Sequence, residues 1–207
     1  MNPHRPGFVA RLRRKFLLER AGYGWPLTAA VVDAERRDGA WDFRQPSELP
    51  RQQAVVNYLR ERPACPAILD LGCGCDQLTN LLQAHRFSRY LGMGLSAEGL
   101  RRARALGWQG CAFVEGDFET WRPAVRFDII VFSERVGYAR ASGALVAAFL
   151  FWLGADEALV VSYYRSGHWS ALWKRIERHA RVIRATTVTG AQAQTRDIKR
   201  LAPLPAP

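Results

Sequence analysis

With 207 residues and 48% apolar side chains, the chain is long enough to bury one full core and too hydrophobic to be disordered over most of its length. Its formal charge of +11 invites a nucleic-acid or anionic-membrane partner. Yet only Lys15, Lys174 and Lys199 are lysines among 30 basic residues, and no long basic run supports a binding groove.

Phe8, Leu12 and Phe16 stand four apart, with Val9 and Leu17 beside them and Arg11, Arg13, Arg14 and Lys15 around the rest of the wheel. The spacing predicts an amphipathic helix over 8–20 packed on the domain, with peripheral membrane contact or a lid as the alternatives. Gly22–Pro26 ends it. The first residues lack the continuous apolar core of a secretory signal, and Gly143–Leu153 falls far short of the ~20 residues of a membrane span, so a cytoplasmic protein is expected. After the Asp38-Gly39 turn, Ser47 is placed to cap a helix with Pro50 in its first turn and Ala54, Val55, Tyr58 and Leu59 on its apolar face. Residues 1–62 therefore read as a helical cover, and residues 63–201 as the core.

The core opens with Ala67–Leu82, where an apolar run enters Asp70, a Gly72-Cys73-Gly74 turn follows, and Leu78, Leu81 and Leu82 recur at helical spacing. That is a buried strand, a tight turn and a helix whose N–H groups face whatever occupies the turn. Cys73 and Cys75 read as reduced thiols. With Cys65 and Cys111 they form no C-x-x-C pair and have no nearby histidine, so no metal site is expected. Arg89–Met93 reads as a second strand and Leu95–Leu106 as a helix capped by Ser96. Gly110–Asp117 reads as a third strand, with Phe118 just beyond it, and Phe127–Phe132 as a fourth. Gly143–Leu153 is a buried helix, Ala158–Tyr163 a fifth strand and His168–His179 another helix. Arg181–Val188 and Thr195–Leu201 form a closing hairpin, and Ala202–Pro207 a loose tail. Such alternation implies an α/β fold: a Rossmann-like, seven-stranded, mostly parallel sheet with helices on both faces and a C-terminal antiparallel strand pair.

The run Asp70-Leu71-Gly72-Cys73-Gly74-Cys75-Asp76 resembles motif I of the class I S-adenosylmethionine-dependent methyltransferases, with Asp76 at the third glycine position. Tyr90, Gly92, Ser96 and Glu98 match the family's next segment, in which Gly94 stands where an acidic residue holds the ribose hydroxyls. Ser133-Glu134-Arg135-Val136-Gly137-Tyr138 is similar to the family's Ser-Glu-x-Leu-Tyr-Tyr stretch, with Gly137 in place of the first tyrosine. The likeness runs from about Trp41 to Leu201 and is greatest to the small nodulation-type and saccharide-cluster members. It implies S-adenosylmethionine as cofactor, bound by Asp70, Leu71, Gly72, Cys73, Gly74, Leu95, Asp117, Phe118 and Ser133. Asp117 would lie on the adenine amino group; an Asx turn after the strand is an equally good reading. Arg51 would reach the cofactor carboxylate, although a solvated arginine is the plainer expectation.

The implied activity is methyl transfer to a hydroxyl or amine of a small polar metabolite, a saccharide among the candidates. Glu134, directly after the fourth strand and directed into the crevice, is the first candidate for proton acceptor, with an orienting or ion-paired role as the alternative. His168 is the second, against a helix-capping role. Tyr138 would hydrogen-bond the substrate or close the core. Trp41, Trp121, Trp169 and Trp173 read as packing residues that could also stack a sugar ring. A fold member without catalysis, serving as a binding module, is the competing reading, motivated by Asp76, Gly94 and Gly137. Nucleic-acid methylation is argued against by Ser-Glu-Arg after strand four, where base-amino methylases carry a Pro-Pro-Tyr type segment. A dinucleotide oxidoreductase lacks its third glycine and its acid after strand two.

Overall fold

The computed structural model describes residues 27–37, 48–61, 65–75, 77–82, 87–165, 169–190 and 193–205. The expected helix over 8–20, Trp41, Ser47, Asp76 and His168 lie outside the described residues.

Seven strands form one sheet: β1 (Ala67–Leu71), β2 (Arg89–Gly94), β3 (Cys111–Glu115), β4 (Phe127–Ser133), β5 (Leu153–Tyr164), β6 (Ala180–Thr189) and β7 (Thr195–Pro203). Their order is β3-β2-β1-β4-β5-β7-β6, parallel from β3 to β5, with β7 antiparallel to both β5 and β6. This is the mostly parallel sheet with a C-terminal antiparallel pair that the alternation implied. The helices are α1 (Ala29–Arg37), α2 (Leu49–Arg60), α3 (Gln77–Leu82), α4 (Ala97–Ala105), α5 (Ser142–Leu150) and α6 (Trp169–Ile176).

Strand period two divides the apolar residues between the faces. Leu69, Leu71, Ile130, Phe132, Leu159 and Val161 join the helices α5 and α6 in one cluster. Ile68, Ile129, Val131 and Val160 join α2 and α3 in the other. The N-terminal cover thus shares a core with the sheet, because Val55, Val56, Tyr58 and Leu59 of α2 are buried against it. Because α5 reads SGALVAAFL, apolar nearly all round, it is stable only when covered on both sides.

Two boundaries differ from the sequence expectation. The fifth strand starts at Leu153, whose pairing with Phe127 precedes a register shift, so no continuous apolar run announced it. The closing strand extends through Ala202 and Pro203, which pair with Arg181 and Ala180, so the segment taken as a loose tail begins inside the sheet. At the cap of α2 stands Glu48, without a side-chain capping bond, and Pro50 lies in the first turn as expected.

The order reverses between β1 and β4, because the chain runs outward to β2 and β3 on one side and to β4 and β5 on the other. A crevice opens at the carboxyl ends of such strands. Among the described residues, no helix is long and apolar enough to cross a membrane.

Gly143, in the first turn of α5, lets that helix approach the end of α6. A Cβ there would lie 2.7 Å from the Arg175 carbonyl oxygen and 3.0 Å from the His179 ring. Helix propensity favours Gly→Ala by up to ~1 kcal/mol in a helix interior, and overpacking against fixed backbone costs about 1–3 kcal/mol. Packing should win: Gly143→Ala lowers the urea midpoint of unfolding, whereas a gain would show that the two helices separate freely.

Candidate functional site

A cleft with about 610 Å³ of empty volume lies at the carboxyl ends of β1, β2 and β3. Gly72 and Gly74 form one wall, and both take left-handed backbone, φ 81° and 66°. That conformation lets the amides of Gly72 and Cys73 both donate to the Met93 carbonyl, at 2.7 and 3.0 Å. Met93, Gly94, Leu95 and Ser96 continue the wall at the end of β2, and Gly116, Asp117, Phe118 and Glu119 extend it past β3. Leu27 and Val32, from the cover, close the opposite side, with Arg135 and Tyr138 from the segment after β4.

The expected site residues separate into those on the cleft wall and those behind it. Gly72, Gly74, Leu95, Asp117, Phe118 and Tyr138 line it. Asp70 and Leu71 are buried in β1, and the Asp70 carboxylate accepts a 2.8 Å hydrogen bond from Tyr90 Oη. Being inside the sheet, Asp70 anchors β1 to β2 and does not face the cleft. The Cys73 thiol is packed toward β2, where a Cβ on Gly92 would meet it at 2.8 Å. Asp117 Oδ1 accepts from the Glu119 amide at 2.9 Å, so the Asx turn and the cleft position hold together. Glu98 is half-buried, and hydrogen bonds from Arg101 and Arg102 hold its carboxyl down to about 2. Of the described tryptophans, Trp173 is buried in the core and Trp121 packs against Gly116.

Two residues of the segment after β4 stand out, the first of them on the cleft wall. Arg135 Nε donates to the Gly72 carbonyl at 3.1 Å, and its side chain lies over that glycine: a Cβ on Gly72 would fall 2.4 Å from Arg135 Cγ. Gly137 also has a reason for lacking a side chain. The Tyr163 ring fills the space above it, 2.3 Å from where a Cβ would stand, so β5 supplies the aromatic group that position 137 omits.

Glu134 is placed differently from the sequence expectation of a group directed into the crevice. It does not line the cleft; its Oε2 accepts from the Tyr164 amide at 3.1 Å, and its backbone has φ 61°. A glutamate in left-handed backbone is uncommon and costs of order 1–3 kcal/mol, so the surroundings must hold it there. Its amide donates to both Ser162 O and Ser162 Oγ at 3.1 Å. Around the carboxylate lies a buried charged cluster. Arg51 donates to Glu48 Oε2 at 3.1 Å and to Ser133 Oγ. Arg196 pairs with Glu48 Oε1, and Arg196 Nε lies 3.9 Å from Glu134 Oε1. Arg51 is 4% exposed, which overturns the expectation of a solvated arginine: it ties the cover to the end of β4. Burial is the largest influence on Glu134 and pushes its carboxyl above the ordinary value of 4.5, against the opposing pull of the Arg51 and Arg196 charges.

The chain matches the model of a family described as a methyltransferase domain over residues 14–195. No curated protein matches it by sequence. Its fold is shared with solved structures of low identity. One is the N-methyltransferase NodS from Bradyrhizobium japonicum in complex with S-adenosylhomocysteine: 18% identity, 80% of this chain and 92% of that one, TM-score 0.70. A TehB-like S-adenosylmethionine-dependent methyltransferase from Corynebacterium glutamicum is similar at 17% identity, 83% and 100% coverage and TM-score 0.65. Magnesium protoporphyrin IX methyltransferase from Synechocystis, with bound S-adenosylmethionine, follows at 15%, 78% and 84%, and 0.61.

The Glu134 environment has a measurable consequence. A carboxyl raised by folding binds its proton more tightly in the native state, so its stabilising contribution is complete below 4.5 and is lost as pH rises through the folded value. Glu134→Gln keeps the neutral shape at every pH. The variant should melt above the wild type at about pH 8, with the gap closing toward pH 4; a pH-independent gap would show that folding leaves Glu134 unperturbed.

Proposed function

The chain belongs to the methyltransferase domain family of S-adenosylmethionine-dependent enzymes, and from that premise we propose that it methylates a hydroxyl or amine of a small polar metabolite, a saccharide among the candidates. The observation that carries the reading is the cleft at the reversal point of the sheet, walled by two glycines in left-handed backbone. The residues present suit an adenosyl ligand. At Gly94 a Cβ would meet nothing closer than 3.5 Å, which leaves a hollow beside the turn, and the wall passes from glycine backbone to the apolar Leu95 and Phe118.

S-adenosylmethionine brings a methyl group already activated on a sulfonium, so the protein's work is positioning and proton removal. Gly72 and Gly74 would admit the amino-acid portion, with the Arg135 guanidinium as partner for its carboxylate. Leu95 and Phe118 would sandwich the base, and Asp117 would face its amino group. Tyr138, on the same wall, would orient the acceptor. To take the acceptor's proton, the Glu134 carboxyl would have to turn from the Tyr164 amide toward the cleft; a buried carboxyl with a raised proton affinity is a better base near neutral pH than an exposed one. Its Oε1 has no hydrogen bond among the described residues and lies 3.9 Å from Arg196 Nε. His168 stands as the second candidate for proton acceptor. The small-metabolite reading is supported by the closure of the cleft by Leu27 and Val32, and an amine acceptor by the name of NodS as an N-methyltransferase.

The lay of Arg135 across Gly72 favours one other reading, a binding module whose cleft is partly filled by its own side chain. Calorimetry with S-adenosylhomocysteine tests for the cofactor site. Release of S-adenosylhomocysteine from S-adenosylmethionine and a panel of amino and hydroxyl sugars tests for catalysis. Binding without release on any acceptor favours the module.

Two variants sharpen these tests. Gly72→Ala forces a side chain into left-handed backbone, at ~1–2 kcal/mol, and against Arg135. It should weaken S-adenosylhomocysteine at least about tenfold while leaving far-ultraviolet circular dichroism unchanged. Glu134→Gln should lower kcat by ~10²–10⁴. Because a base works only when ionised, the wild-type rate should rise with pH along a limb above 4.5, and the variant should lose that limb. An unchanged profile would remove Glu134 from the chemistry.

A further inference from the structure

We infer that the end of the sheet opposite the cleft docks on an anionic lipid bilayer, with Phe151 as the inserted side chain and Arg89, Arg122 and Arg126 meeting the headgroups. Such docking is independent of the cofactor reading. The cleft lies at the carboxyl ends of the parallel strands. Arg89 opens β2, Arg122 and Arg126 precede β4, and Phe151 and Trp152 join α5 to β5, so this group stands at the amino ends. Charge that forms no run in the sequence is gathered here from separate segments.

The turn between α5 and β5 consists of two aromatics, where a solvated turn carries small or polar residues. Its backbone is held on both sides. The Trp152 amide donates to the Phe149 carbonyl at 3.0 Å, and the Trp152 carbonyl accepts from the Phe127 amide at 2.9 Å. Phe151 is nonetheless 64% exposed, and Val125, just before β4, is 47% exposed. A single exposed ring is ordinary; this one lies among guanidiniums. Arg126 stands 5.4 Å from the centre of the Phe151 ring, Arg89 4.6 Å from that of Phe127 and Arg122 5.1 Å from that of Phe149.

These three arginines are exposed and donate to backbone carbonyls: Arg89 to Arg126, Arg126 to Leu153, and Arg122 to Phe118 and Trp121. None of them pairs with a carboxylate of the described residues, whereas the exposed Arg101, Arg102 and Arg184 hold Glu98 and Glu61. Asp128, next in β4, gives its carboxylate to the Ala67 amide at 2.7 Å. Positive charge around an apolar tip is complementary to a layer of anionic headgroups over hydrocarbon. The guanidinium suits that boundary, being weakly hydrated and able to meet phosphate with several donors. A single-stranded nucleic acid instead stacks its bases on open ring faces along a charged groove. Here Arg126 covers one face of Phe151 and the Trp152 ring stands at 90° to it, so no such platform is presented. One ring and three arginines give reversible binding on the scale of a single myristoyl chain, K ~10⁴ M⁻¹. The cleft, at the other end of the sheet, stays open to solution.

Co-sedimentation of the full chain with vesicles of phosphatidylglycerol or of phosphatidylcholine tests this. The wild type should bind phosphatidylglycerol at least about tenfold more tightly than phosphatidylcholine, and the difference should shrink as salt rises. Phe151→Ser should weaken phosphatidylglycerol binding at least about tenfold. Arg126→Gln, which keeps a donor for the Leu153 carbonyl, should weaken it by about fivefold. Phe151→Trp should bind as the wild type does and gain fluorescence quenching by lipids brominated along their acyl chains; this arm holds even where Phe151→Ser folds poorly. Docking at this end is overturned if the wild type leaves phosphatidylglycerol vesicles unbound or binds both lipids equally. It is overturned as well if Phe151→Ser binds undiminished with Phe151→Trp unquenched, which would place the contact elsewhere on the basic surface. Single-stranded RNA that binds through Phe151 and displaces the vesicles would assign the patch to nucleic acid instead.

Discussion

The amides of Gly72 and Cys73 share one acceptor, the Met93 carbonyl, at 2.7 and 3.0 Å. That shared bond fixes where β1 stops relative to β2, and it requires the left-handed backbone at Gly72. With the two strand ends joined, the next turn cannot fold back over the sheet, and the hollow beside Gly94 stays open. Deeper in the same strands, the Tyr90 hydroxyl on the Asp70 carboxylate repeats the connection between side chains. A buried carboxylate is costly unless hydrogen-bonded, so Asp70 and Tyr90 specify each other. The acid of the glycine motif thus steadies the backbone ahead of the turn from inside the sheet.

A second set of interactions fixes the cover. Arg51 of α2 reaches Ser133 at the end of β4, Glu48 bridges Arg51 and Arg196, and Arg196 of β7 lies beside Glu134. Removing Arg51 or Arg196 would leave the buried Glu48 and Glu134 carboxylates short of a counter-charge, at several kcal/mol. The cover, the catalytic edge and the closing hairpin are therefore interdependent. This also accounts for the position of Glu134. Its left-handed backbone turns the chain at the end of β4 so that Arg135 and Tyr138 enter the cleft, while its own carboxylate points the other way, toward β5 and β7.

Much of this was legible in the sequence, for reasons that mark where the legibility stops. Ala67–Leu71 and Phe127–Ser133 are apolar but for Asp70, Asp128 and Ser133, so both buried central strands stood out. Ser96 announced the cap of α4, because capping is a local bond. Gly72 and Gly74 were readable because a strand-turn-helix needs left-handed residues where it turns. What escaped was set by distant partners. Arg51 read as solvated, because nothing near it signals that a serine 82 residues on receives it. Gly137 looked like a lost tyrosine, since the Tyr163 ring that occupies its space comes from β5, 26 residues on.

The misses share a location, and that bears on how such a site diverges. Glycine turns and central strands are constrained by backbone geometry, which few residues satisfy, so their pattern persists in the sequence. The groups that surround a bound molecule need only deliver a charge or a ring to a point in space, from whichever element passes near it. The Tyr163 ring, which stands where a side chain at 137 would be, is such a case: β5 delivers it to the turn after β4. At Gly137 the volume is fixed by the fold, and the ring that fills it comes from whichever element passes near, here β5.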